Sequence, residues 1–313
     1  MMNKTFENIC RMTQKQVKNY VVDELAKEYE NVVSADGFVY AQGSYPVLLV
    51  AHMDTVHKKT PSIIAYDADK KTASSPQGIG GDDRCGIYMI LEIIKKFACS
   101  VLFCEDEEIG GVGAEKFTAS PVAQGLKFNY IIEFDRKGSR DAVFYDCDNE
   151  DFEKFITKEF FVTNYGSFSD ISIIAPYLKC AAVNLSCGYY RAHTEQEYVV
   201  LAEMERVIDE ACKLLDRTTE EDKFEYIEAQ HSYGGYYDYY RKSYYNSYGD
   251  DDEYADVGVN YYLIEYMKED FSTDWYETTA NSRAEAVGNF VINHPSLPYE
   301  NIIDIMVDAN VYA

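Results

Sequence analysis

VLLVAHMDTVH, residues 47–57, is the stretch on which the fold of this 313-residue chain turns. Val47 to Ala51 is an unbroken apolar run with no polar face, as expected of a strand buried on both sides of a sheet with helices above and below. It stops at a polar cluster, His52-Met53-Asp54. Outward from it the pattern recurs: Ser100 to Cys104 and Tyr130 to Phe134 read as two more buried strands, and GIYMILEIIKK, residues 86–96, is helical by pattern. Such alternation of strand and helix favours an α/β sandwich.

Further out, QKQVKNYVVDELAKEYE (14–30) places Val17, Val21, Val22, Leu25 and Tyr29 on one helical face. Short extended pieces at Val32–Val33 and Phe38–Tyr40 flank the turn dipeptide Asp36-Gly37. After Ala175 come an extended stretch, Ala181 to Leu185, a polar loop reaching His193, and a helix over Leu201 to Asp216. The composition then changes. Residues 231–256 are dense in Tyr, Gly, Ser and Asp and almost devoid of aliphatics, which reads equally as a mobile linker or as an adhesive surface for a partner or a second copy of the chain. From 259 the aliphatics return, with strands expected at Tyr261–Met267, around Trp275–Thr279 and at Ile302–Val307, and a helix opening on the capping box Ser282 to Glu285. The expected organisation is a catalytic domain over 1–217, a Tyr-rich acidic linker over 218–256 and a small ββαβ appendage over 257–313.

A net charge of −25 argues against binding a nucleic-acid backbone, which needs clustered cations, and leaves a nucleic-acid mimic open. No apolar run approaches the roughly 20 residues needed to cross a bilayer. The first 13 residues lack the apolar core of a signal peptide, so no membrane role is expected and the location is read as cytoplasmic. Eight cysteines without a CxxC pair read as reduced core thiols.

The informative feature is where acids and histidines fall. His52 and Asp54 end the first buried strand; Asp82-Asp83 lie in a glycine-flanked loop before a helix; Glu105-Asp106-Glu107-Glu108 follow the next strand; Asp135 closes the third; His193 precedes the last helix of the large domain. In an open α/β sheet, ligands bind outside the carboxyl ends of the strands. Two imidazoles and several carboxylates converging there suit a pair of zinc-type cations sharing a carboxylate, with a water between them acidified for hydrolysis. Residue types alone leave open which of the four consecutive acids binds metal and which moves a proton.

Five segments in order, VLLVAHMDTVH, GIGGDDRCG, CEDEEIGG, IIEFD and GYYRAHTEQEYV, resemble the metal-site motifs of the M20/M42 co-catalytic zinc peptidases, most closely the peptidase T-like tripeptidases, over roughly residues 12–216. The resemblance implies a three-layer αβα sandwich with a mixed sheet and two divalent ions, Zn first with Co or Mn as alternatives. It makes Asp82 the bridging carboxylate, His52 and Asp135 the other protein ligands of one ion, and Glu108 and His193 those of the second. Glu107 becomes the general base, Asp54 the partner that fixes the His52 tautomer, and the Asp82–Asp83 peptide is expected to be cis. Two departures stand out. Asp170, in GSFSD, lacks the Arg-Gly-Gly that precedes its family counterpart, and the intervals of 30 positions from His52 to Asp82 and 58 from Asp135 to His193 are too short for the family's inserted domain. The catalytic domain is therefore expected to be bare, with the 257–313 appendage or a second subunit completing the cleft.

The expected activity is that of a dinuclear zinc exopeptidase, an aminopeptidase or tripeptidase acting on short peptides. An amidase or deacylase of N-acyl amino acids on the same scaffold is the same-class rival, and a non-catalytic acidic interaction protein is the rival from another class. Glu105 and Asp106 read as solvated or supporting acids, Asp83 and Arg84 as loop supports, Cys104 as a small buried side chain, and His57, His231 and His294 as surface groups.

Overall fold

The computed structural model describes residues 2–67, 71–166, 168–229, 260–268, 273–280, 290, 293–294 and 302–308. The apolar run at 47–51 forms the middle of the sheet. In chain order the elements are α1 (Met2–Cys10), α2 (Gln14–Glu28), β1 (Val32–Ala35), β2 (Phe38–Ala41), β3 (Tyr45–His52), β4 (Ala65–Tyr66), β5 (Thr72–Ser74), α3 (Gly81–Ile93), β6 (Cys99–Cys104) and α4 (Val112–Ala119). They continue with β7 (Tyr130–Arg136), β8 (Asp141–Val143), α5 (Glu150–Thr157), β9 (Val162–Asn164), α6 (Ile171–Leu178), β10 (Ala182–Ser186), β11 (Tyr189–Tyr190), β12 (Tyr198–Val200) and α7 (Leu201–Asp216).

Eight strands pair in the order β1-β2-β6-β3-β7-β10-β8-β9. The four central strands β6, β3, β7 and β10 run parallel, whereas β2 against β6 and β8 against β10 are antiparallel, so the sheet is mixed. Side-chain alternation divides its two faces. Val47, Leu49 and Ala51 of β3 pack with α1, α2, α3, α5 and α7, while Leu48 and Val50 pack with α4 and α6. The result is the three-layer αβα sandwich. Spacing explains α2 directly, since Val17, Val21 and Leu25 recur every fourth residue and are buried, and Thr13 with Gln16 closes its capping box. All eight cysteines are buried and free, and no helix among the described residues is long and apolar enough to cross a membrane.

Contacts divide the chain into two compact units, Met1–Tyr245 and Asn246–Ala313. The second contains β13 (Asn260–Met267), β14 (Thr273–Ala280) and β15 (Ile302–Asp308) in an antiparallel sheet of order β14-β13-β15. His294 belongs to its packing and not to its surface: the imidazole stacks on Phe290 with ring centroids 4.6 Å apart and meets Tyr266 and Tyr276. The expected helix at 282–292 lies outside the described residues apart from Phe290, as do His231 and the Tyr-rich stretch 231–256.

Close packing of α3 on β7 has a testable cost. A Cβ at Gly86 would lie 2.0 Å from the Phe134 carbonyl oxygen and 2.5 Å from Asp83 Oδ2. Gly86→Ala is therefore expected to push α3 off the sheet and destabilise the protein by about 1–3 kcal/mol, the usual cost of overpacking, in urea unfolding. An unchanged midpoint would show that the helix can shift freely.

Candidate metal centre

The strand order β6-β3-β7 means that the chain leaves β3 to one side and later returns to the other, which opens a crevice at the carboxyl end of β3. His52 is the last residue of β3 and lies in register with Cys104, the last of β6. Asp135 sits near the end of β7, and Asp82 in the first turn of α3, where the backbone at Asp82 and Asp83 is non-helical and their peptide is cis. His193, at φ 65°, comes from the loop joining β11 to β12.

Asp82 is the hub of the cluster. His52 Nε2 lies 3.1 Å from its Oδ1, and His193 Nε2 lies 3.2 Å from its Oδ2. On the first side Asp135 Oδ1 is 3.4 Å from His52 Nε2; on the second Glu108 Oε2 is 3.1 Å from His193 Nε2. Glu107 Oε2 is 3.9 Å from His52 Nε2. Among the described residues three donor groups have the spacing a cation needs: His52, Asp82 and Asp135; Asp82, Glu108 and His193; and His52, Glu107 and Glu108. Every ligand expected from the sequence is thus brought into one cluster, as are Glu107 and Asp54.

Supporting bonds fix these groups. Asp54 Oδ1 is 3.1 Å from His52 Nδ1, and the same carboxylate accepts the backbone N–H groups of Glu107 and Glu108 at 3.0 Å, so it sets both the imidazole and the acidic turn. Asp83 accepts from the backbone N–H of His52 and of Gly86. Arg84 donates to the carbonyls of Met53 and Met12, and Tyr189 Oη donates to Asp135 Oδ1 at 3.3 Å. Asp170 is fully buried at the N-cap of α6, and burial raises its carboxyl to about 7.

Of the two readings of Glu105 and Asp106 the supporting one applies: Glu105 is paired with Lys18 and accepts the Gly37 N–H, and Asp106 accepts from Gln14. The reading of His57 changes, because it is not a free surface group: its Nε2 lies 2.8 Å from Glu197 Oε2. Sequence reasoning missed Glu197, which is fully buried and also accepts from the backbone N–H groups of Gly80 and Asp82. The only signal for it was an acid set against the apolar run that opens at Tyr198.

Burial pushes the His52 imidazole down, but the carboxylates of Asp135, Asp54 and Asp82 outweigh it and hold the proton well above the ordinary range. Hydrogen bonds to Asp82 and Glu108 raise His193 in the same way. Burial and the charge of Asp82 lift Asp135 to about 7 against the pull of His52. For Glu107 burial again dominates, His52 opposes it, and neighbouring carboxylates push it further up. Without a cation both histidines therefore carry protons near neutrality, and a cation must displace them. Apparent Zn²⁺ affinity is expected to rise with pH, by a factor of about ten per unit for each proton released. Titrations at about pH 6, 7 and 8 check this, and a flat profile would contradict it.

The residues fit a divalent cation. Imidazole nitrogens and carboxylate oxygens are its ordinary donors, the two Asp82 oxygens each face one histidine, and Glu108 Oε1 is buried without a hydrogen-bond partner.

No family profile matches the chain, and no curated protein matches it in sequence. Solved structures do. A tripeptidase from Staphylococcus aureus has a TM-score of 0.55 at 12% identity, covering 68% of this chain and 96% of its own. An aminopeptidase from the archaeon Desulfurococcus kamchatkensis has 0.54 at 14% identity, over 70% of this chain and 95% of its own. A glutaminyl cyclase from Tannerella forsythia has 0.50 at 15% identity, over 70% and 98%. What they share with this chain is the fold. That fold carries both peptide hydrolysis and cyclisation, so the chemistry must be argued from the site.

Proposed function

We propose that the chain is a dinuclear zinc-dependent exopeptidase of the M20/M42 kind, an aminopeptidase or tripeptidase acting on short peptides. One observation carries the reading: a single buried carboxylate, Asp82, presents one oxygen to His52 and the other to His193. Asp82, His52 and Asp135 would hold one ion, and Asp82, Glu108 and His193 the other. When bound, the ions supply Lewis acidity, which polarises the scissile carbonyl and acidifies the attacking water.

The rest falls to the protein. Glu107, held above the usual carboxylate range by burial, accepts the water proton on a carboxylate oxygen as the C–O bond forms. It returns that proton to the amine nitrogen as the C–N bond breaks. Asp54 accepts the His52 Nδ1 proton, so that Nε2, 3.1 Å from Asp82, would be left to give its lone pair to an ion held between the two. The short intervals from His52 to Asp82 and from Asp135 to His193 support a catalytic domain that works without an inserted domain.

A panel of free-amine and N-acylated di- and tripeptides tests this reading. Chelator-reversible release of the N-terminal residue from the free-amine peptides is the expected result. Turnover of the N-acylated set alone would mean a deacylase, and no turnover of either would remove the hydrolase reading.

A further inference from the structure

His193 poses a mechanical problem. Its side chain is 57% exposed, and its backbone sits at φ 65°, in the left-handed region that is uncommon for any residue but glycine. A loop with those properties does not hold an imidazole against Asp82 unaided. Four residues later in the same loop, Glu197 is fully buried. Its Oε1 accepts the Asp82 N–H at 2.9 Å, and its Oε2 accepts the Gly80 N–H at 2.8 Å and faces His57 Nε2 at 2.8 Å.

These bonds close a ring. The Glu197 carboxylate grips the main chain of Asp82, the Asp82 side chain meets His193, and the chain from His193 returns to Glu197 through the Glu197 N–H to Thr194 carbonyl bond. The space around the ring is tight. A Cβ on Gly81 would lie 2.8 Å from Tyr189 Cβ and Val199 Cγ2 and 3.3 Å from Glu197 Oε1, while a Cβ on Gly78 would strike the His57 ring at 2.1 Å. On the opposite side of Asp82, His52 needs no such clamp, because it ends a central strand and is held by Asp54 and by the Asp83 carboxylate on its backbone N–H.

Resting on the dinuclear reading above, we propose that Glu197, oriented by His57, is the positioning residue for the ion on the His193 side of Asp82. It touches no substrate and no reacting atom. It fixes the distance between Asp82 and His193, and so governs one ion and not the other. In Glu197→Gln the side-chain shape is kept, but one oxygen becomes an amide NH2 that opposes whichever backbone N–H, of Gly80 or of Asp82, that oxygen accepted. Groups that orient ligands in this way are worth roughly 10–100-fold in metal affinity.

The test is calorimetric titration of the full chain with Zn²⁺ alone, comparing wild type, Glu197→Gln, His52→Ala and His193→Ala, with an unfolding curve for each. Wild type is expected to take two ions. Glu197→Gln is expected to weaken one binding event by about tenfold or more, reproducing the pattern of His193→Ala and not that of His52→Ala. Loss of both events alike, or of neither, would overturn the proposal, since a merely structural residue lowers stability without choosing between ions. If Glu197→Gln does not fold, His57→Phe decides the matter, because it keeps a ring against Gly78 and removes only the N–H. Selective weakening of the same event supports the clamp, and an unchanged or uniform effect overturns it. A wild type that binds no ion would instead sink the dinuclear reading itself.

Discussion

Replacing Glu107 with Gln is expected to lower kcat by roughly 10²–10⁴-fold, the usual contribution of a positioned general base, while both Zn²⁺ binding events survive. The geometry makes this variant discriminating. Glu107 lies 3.9 Å from His52 Nε2 and belongs, with His52 and Glu108, to one of the three donor groups spaced for a cation. As a ligand it would lose an ion on amidation; as a base it loses only the ability to take a proton. Its backbone N–H is held by Asp54 and its side chain keeps the same shape as Gln, so the turn is expected to stay in place. Rapid-quench turnover together with metal analysis separates the two roles, and retained turnover or a lost ion would each refute the assignment of Glu107 as base.

Removing Asp82 is expected to act more broadly. Its two oxygens are the shared feature of both proposed ion positions, at 3.1 Å from one imidazole and 3.2 Å from the other. Asp82→Ala should therefore weaken both binding events by more than about a hundredfold, beyond what loss of an orienting group costs, and abolish turnover. His52→Ala and His193→Ala should each weigh mainly on one event. Effects of Asp82→Ala and His52→Ala should also fail to add, because the two side chains serve the same position. A single weakened event in Asp82→Ala would mean that the carboxylate does not bridge.

Much of this was legible because strand periodicity is strict. The runs at 47–51, 100–104 and 130–134, apolar apart from Ser100 and Glu133, read as central strands of a covered sheet, and the acids that follow each run then gather at one edge. Leu48 and Val50 pack on the opposite face from Val47, Leu49 and Ala51, as the period of two requires. What escaped the sequence reading was short or long-range. Strands β4, β5, β11 and β12 run two or three residues each and form a separate sheet, too brief for any periodicity to register. Helices α1, α4, α5 and α6 are eight or nine residues long and gave no decisive pattern.

Partners distant in sequence were equally silent. Nothing local chooses between a solvated and a supporting Glu105, because Lys18 stands 87 positions away, and His57 reads as a surface group because Glu197 stands 140 away. Asp54 was read only as the companion of its neighbour His52, two residues off. Its grip on the Glu107 and Glu108 backbone spans 53 and 54 positions and is visible only once β3 and β6 lie side by side. Local chemistry named the groups that meet at the sheet edge. Tertiary contacts determine which of them hold the others still.

The most direct measurement is diffraction from crystals grown with Zn²⁺, using the anomalous signal at the zinc edge. Two peaks are expected, one on each side of Asp82, the first between His52 and Asp135 and the second between Glu108 and His193. An absence of peaks, or a peak that leaves Asp82 uncoordinated, would contradict the account.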